Sequence, residues 1–130
     1  MYKNLTPNIM VPDVNATVKW YQDNFNFKLI NKTETLDDPL EWAAVKADDV
    51  EIYFQNIESL TKEMTVLKGM EIGASLTFYI AVKDVQSLYD SVKDKVEIVR
   101  DMRTAFYGAK EFAVKDLNGY ILVFSETKDE

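Results

Sequence analysis

The chain repeats itself, and a repeat of this length constrains architecture more than any single motif. Ile9-Met10-Val11-Pro12-Asp13-Val14 returns 71 residues later as Ile80-Ala81-Val82-Lys83-Asp84-Val85. Ala44-Val45-Lys46 returns 69 residues on as Ala113-Val114-Lys115, and two apolar runs end at Phe54 and Phe124, 70 apart. Three echoes in the same order at nearly constant offset indicate two copies of one module. The copies span 1–56 and 75–126, and residues 57–74, with Gly69, Gly73 and scattered charges, read as the linker. Residues 1–130 together are expected to form one domain, a size that suits a single compact fold.

Both copies have the same texture. Pro7, Ile9 and Val11 alternate with Asn8 and Met10, the period of a strand with two unlike faces. Asp13 follows as an N-cap, and Val14, Val18, Tyr21 and Phe25 form one helical stripe. Strands are expected over Phe27–Thr33, Trp42–Ala47 and Glu51–Gln55, with a turn at Asp37-Asp38-Pro39. In the second copy Leu76, Phe78, Ile80 and Val82 alternate with Ser75, Thr77, Tyr79 and Ala81. Asp84 then caps a helix buried through Val85, Leu88, Tyr89 and Val92. Val96–Arg100, Glu111–Lys115 and Tyr120–Ser125 supply three more strands, the last two joined by Asp116-Leu117-Asn118-Gly119. The fold class is therefore α+β, two tandem βαβββ modules forming a curved mixed sheet around a cleft.

One helix covers one face of a four-stranded sheet and leaves the other for a partner or a ligand. Strand parity puts Ile9, Val11, Ile52, Phe54, Leu76, Phe78, Ile80, Val82, Leu122 and Phe124 beneath the helices. The opposite set is mixed: Asn8, Met10, Trp42, Ala44, Glu51, Tyr53, Thr77, Tyr79, Glu111, Ala113, Ile121 and Val123, with Phe106 and Tyr107 on a loop at one end. Aromatic walls with a few carboxylates and hydroxyls describe a small-molecule pocket, and Glu51 and Glu111 favour a cationic or hydrogen-bond-donating ligand. Asp13 and Asp84 are accounted for as caps, Trp20 and Tyr21 as packing residues.

Composition removes whole classes of chemistry. With no cysteine there is no disulfide, zinc-thiolate site or thiol nucleophile, and a reducing cytoplasm is the expected compartment. With no histidine there is no imidazole base, catalytic triad or imidazole metal ligand. The net charge of −7 argues against nucleic acid, whose phosphates select basic grooves. No apolar run approaches the ~20 residues of a membrane helix, so no membrane partner is expected.

Asn8-Ile9-Met10-Val11-Pro12-Asp13-Val14, Trp20-Tyr21 and Asn24-Phe25-Asn26-Phe27 resemble the opening of the glyoxalase/bleomycin resistance/dioxygenase (vicinal oxygen chelate) superfamily. The closing stretch Tyr107–Tyr120, with Asp116-Leu117-Asn118-Gly119 where Asp-Pro-Asp-Gly is common, resembles the last strand pair of its bleomycin-resistance branch. The resemblance implies paired βαβββ modules, agreeing with the repeat. Many members hold a divalent metal with four side chains, and those positions fall here at Thr6, Glu51 or Tyr53, Thr77 and Val123. Two hydroxyls, one carboxylate and a valine do not hold such an ion, so no metal and no cofactor are expected. Bleomycin-resistance members need none: they are homodimers that sequester a cationic, aromatic antibiotic in acidic, aromatic-lined crevices.

The expected function is thus metal-free small-molecule binding, with a ligand-binding cleft of Asn8, Met10, Trp42, Glu51, Tyr53, Thr77, Tyr79, Phe106, Tyr107 and Glu111. The alternative is an enzyme of the same superfamily, a lyase, isomerase or dioxygenase-type catalyst with Glu111 or Glu51 as base. A third reading is a domain whose cleft is filled by its own side chains and which acts through protein contacts.

Overall fold

Asp13 and Asp84 start the two long helices as capping chemistry requires. The Asp13 carboxylate accepts from the Ala16 N–H at 3.0 Å, and the Asp84 carboxylate accepts from the Ser87 N–H at 3.1 Å and the Ser87 hydroxyl at 2.8 Å. The structure is a computed structural model that describes residues 1–33 and 39–126, so Asp37 and Asp38 of the expected turn lie outside the described residues. It contains two compact units, Met1–Ile72 and Gly73–Glu130.

The first unit runs β1 (Asn8–Val11), α1 (Val14–Phe25), β2 (Lys28–Lys32), β3 (Trp42–Ala47), β4 (Val50–Asn56) and α2 (Ile57–Glu63), then a 3-10 turn at Thr65–Leu67. Its sheet has the order β1-β4-β3-β2, with β1 parallel to β4 and the other pairs antiparallel. Helix α1 buries Val14, Thr17, Val18, Tyr21 and Phe25 and packs on β3 and β4. The Tyr21 ring lies 5.0 Å from Phe54, which with Ile9, Val11, Val45 and Ile52 completes the core. Asn26 ends α1 in the left-handed region (φ 60°), a conformation asparagine tolerates better than most residues.

The second unit runs β5 (Thr77–Ala81), α3 (Val85–Val92), β6 (Glu97–Thr104), β7 (Lys110–Lys115) and β8 (Ile121–Glu126), in the order β5-β8-β7-β6. Helix α3 packs on β7 and β8, with Tyr89 edge-on to Phe112 at 5.1 Å and Phe112 stacked on Phe124 at 5.4 Å. Buried Asp116 organises the β7–β8 turn by accepting from the N–H groups of Asn118 and Tyr120. Gly119 closes that turn at φ 99°.

Each unit is therefore βαβββ and the chain is α+β, as the repeat predicts. Three local expectations are corrected. Residues 57–74 are not plain linker, because Asn56 caps α2 by accepting from the Ser59 N–H at 2.7 Å. Strand β6 runs four residues beyond Arg100, to Thr104. Leu76 and Val82 fall outside β5, and Leu76 is exposed rather than in the core.

Candidate functional site

On the face of the first sheet turned away from α1, register decides which side chains are neighbours. Asn8 pairs with Tyr53, Tyr53 with Ala44, and both Met10 and Trp42 with Gln55, while Glu51 pairs with Lys46. The Trp42 and Tyr53 rings meet edge-on at 5.0 Å, both half-buried. Asn8 Nδ2 donates to Gln55 Oε1 at 2.9 Å, and Gln55 Nε2 donates to Ser59 Oγ at 2.8 Å. That chain ties α2 to the sheet and orients the amide of buried Gln55. Beside it opens a cleft of about 450 Å³ lined by Asn8, Thr33, Glu41, Trp42, Gln55, Ser59 and Glu63. A hollow of about 300 Å³ shares Glu41, Ser59 and Glu63 and adds Glu58 and Lys62.

The structure thus sets Asn8, Trp42 and Tyr53 close together on one sheet face, with Asn8 and Trp42 lining the cleft. Met10, in contrast, is buried and offers no ligand surface. Glu51 sits across from Lys46, two ladder positions from the Ala44–Tyr53 pair, and does not line the cleft. The carboxylates near Trp42 are Glu41 and Glu63, neither of them singled out in the sequence. Gln55 is legible from parity, since it continues the Glu51–Tyr53 alternation. Ser59 and Glu63 are not, because α2 is too short for an apolar period to mark it as a helix.

On the face of the second sheet turned away from α3, Thr77 pairs with Ile121, Tyr79 and Ala113 with Val123, and Glu111 with Ser125. Register irregularities in β6 set Arg100 across from Ala113 and Arg103 across from Glu111. Glu111 is 1% exposed, so it is no solvent-facing strand charge. Its Oε1 accepts from Arg100 Nη2 at 3.0 Å, with Arg103 Nη2 4.0 Å away, and its Oε2 accepts from the Tyr107 hydroxyl at 2.6 Å. That hydrogen bond, reinforced by desolvation and by Tyr79, pushes the Tyr107 phenol up to about 12. Arg100 Nε is buried without a hydrogen-bond partner among the described residues. An unmet donor of that kind costs ~1–3 kcal/mol and calls for a reason.

Here too expectation and structure part at particular residues. Tyr79, Tyr107 and Glu111 converge, and exposed Thr77 shares their face. Phe106 is 99% exposed, with its ring edge-on to Tyr107 at 5.0 Å, and so is a projection rather than a wall. Glu111 is not a free anion awaiting a cationic ligand, because both oxygens are engaged and two guanidiniums balance it.

The positions at which relatives hold a metal do not fit one here. Val123 is buried and carries no donor, Thr6 and Thr77 offer neutral hydroxyls, and the fourth position, Glu51 or Tyr53, supplies at most one carboxylate where a divalent ion needs more charge compensation. Among the described residues no three carboxylates gather as an ion would require.

A sequence profile of the Glyoxalase/Bleomycin resistance protein/Dioxygenase superfamily matches residues 5–124. The chain belongs to that superfamily. Among solved structures it is similar to a protein of unknown function from Agrobacterium tumefaciens str. C58 (TM-score 0.79, 15% identity, 98% of this chain and 96% of that one). It is also similar to TioX from Micromonospora sp. ML1 (TM-score 0.73, 14% identity, 98% and 100%). A glyoxalase/bleomycin resistance protein/dioxygenase family enzyme from Burkholderia phytofirmans PsJN matches at TM-score 0.76 and 16% identity, over 95% and 97%. At these identities the likeness is one of fold. No curated protein matches the chain. Among the described residues no helix is long and apolar enough to cross a membrane.

Proposed function

We propose that this protein binds a small, flat, cationic molecule without a metal, in the manner of the bleomycin-resistance branch that its closing strand pair resembles. One observation carries the reading: the cleft of about 450 Å³ in which half-buried Trp42 lies among Asn8, Gln55, Glu41 and Glu63. An indole face attracts a cation, two carboxylates add charge, and the Asn8–Gln55–Ser59 chain offers fixed polar atoms. Tyr53 holds the indole edge-on and so limits its rotation.

The enzymatic reading has less support. Glu111 is buried and already ion-paired with Arg100, and Glu51 stands outside the cleft. The branch resemblance also supports a cytoplasmic homodimer. Light scattering tests the dimer, with twice the 15.0 kDa chain mass expected.

The direct test of binding is a fluorescence titration with proflavine and with bleomycin as probes. Saturable quenching by either is expected, with Kd raised about tenfold in Trp42→Leu, the loss of roughly 1.4 kcal/mol. Absence of saturation with both probes, or a Trp42→Leu variant that binds as well as the parent, would overturn the assignment.

A further inference from the structure

The Arg100–Arg103–Glu111–Tyr107 cluster is unused by the cleft beside Trp42 and has the opposite electrostatic sense. Two guanidiniums share one carboxylate, so the cluster carries a net positive charge within a chain of net charge −7. Glu111 is engaged through both oxygens, one with Arg100 and the other with Tyr107. The guanidiniums keep N–H groups to spare: Arg103 approaches the carboxylate only to 4.0 Å and is half exposed, and Arg100 is 38% exposed, although its unpartnered Nε is buried and out of a ligand's reach. A planar guanidinium presents N–H groups in a fork that matches an oxyanion. Tyr79 and Phe106, 60% and 99% exposed, set aromatic surface around Tyr107.

We infer that this face of the second unit is a second binding site, one that takes the carboxylate or phosphate of an aromatic molecule. Arg103 and Arg100 hold the oxyanion, and Tyr79 and Phe106 contact the ring. Glu111 is a positioning residue that anchors Arg100 from behind, and Tyr107 caps the oxygen Arg100 does not use. The charge balance decides the ligand class. A cation here meets two guanidiniums and a carboxylate already spoken for, whereas an anion meets unused donors. The inference does not rest on the Trp42 cleft, since the residues, the unit and the sign of charge all differ.

The test is an NMR or calorimetric titration of the full chain with benzoate, phenyl phosphate and the neutral isostere benzamide. Benzoate or phenyl phosphate is expected to saturate and benzamide to bind at least tenfold more weakly; the stronger anion tells carboxylate from phosphate. Arg103→Gln, an exposed change that leaves the core intact, is expected to weaken the preferred anion at least fivefold. Phe106→Ala separates an aromatic ligand from a bare oxyanion by weakening benzoate more than acetate, or phenyl phosphate more than inorganic phosphate. Equal binding of benzamide, an unchanged Kd in Arg103→Gln, or no saturation by either anion would overturn the site. Neither proflavine nor bleomycin enters this titration, so its failure leaves the cationic cleft standing, and the reverse holds too.

Discussion

A methyl group on Gly73 would stand 2.7 Å from the carbonyl oxygen of Gly119, with backbone atoms on both sides of the contact, at φ +83°. Gly69 shares the left-handed backbone at φ +77° but faces open space. The pair separates conformational strain from steric overlap. Gly69→Ala is expected to cost only the strain, about 1 kcal/mol, and Gly73→Ala distinctly more, because the Gly119 turn must shift as well. Thermal denaturation of the two variants side by side checks the order. Tyr107 offers a second prediction at this scale. Its phenol is raised from 10 to about 12, so its hydrogen bond to Glu111 contributes stability that is complete below pH 10. That contribution falls as pH rises, because the unfolded phenol ionises first, and it is gone above about pH 12. Alkaline denaturation of Tyr107→Phe is accordingly expected to show a shallower loss of stability between pH 10 and 12 than the parent.

Elements differ in how openly the sequence announces them. Helices α1 and α3 begin at Asp13 and Asp84 and carry unbroken apolar stripes, so cap and period point to the same place. Helix α2 is seven residues long with one buried residue, Leu60, too short for a periodic stripe to emerge. Its start depends on Asn56, the last residue of β4, serving also as a cap. Asn56→Ala is expected to lower stability by about 1 kcal/mol and to speed amide exchange over 57–63. Loosened α2 also displaces Ser59 and Glu63, so proflavine binding weakens in the same variant. Strand β6 hides in another way. Simple alternation puts Ile98 and Arg100 on one face, yet Ile98 pairs with Val114 and Arg100 with Ala113. The extra residue between them turns Arg100 over to the Glu111 side, and a second irregularity restores the original phase, so that Arg103, which plain alternation from Ile98 puts on that side, faces Glu111 as well. Bulges have no sequence signature comparable to a cap, which hides Arg100 from the expected site, whereas Arg103 lies past the strand end expected at Arg100.

At the scale of the whole molecule the net charge of −7 acts on whatever approaches it. A cationic probe such as proflavine is drawn in by that field, so its association rate is expected to fall on the order of tenfold between 10 mM and 0.5 M salt. Stopped-flow fluorescence measures this directly; a salt-independent rate would mean that the carboxylates of the cleft play no steering part.

What the linear chain determined by itself was the duplication, the two long helices, the parity of most strands and, through absent cysteine and histidine, the chemistry excluded. These follow from local rules in which a cap, a period of two or a period near 3.6 acts between residues close along the chain. Tertiary structure alone decided that Glu111 is buried between Arg100 and Tyr107, that Glu51 stands apart from the cleft, and that Glu41 and Glu63 take its place beside Trp42. The charge that a residue presents to a ligand depends on which other charges the fold brings within a few ångströms, and pairing across strands sets that distance.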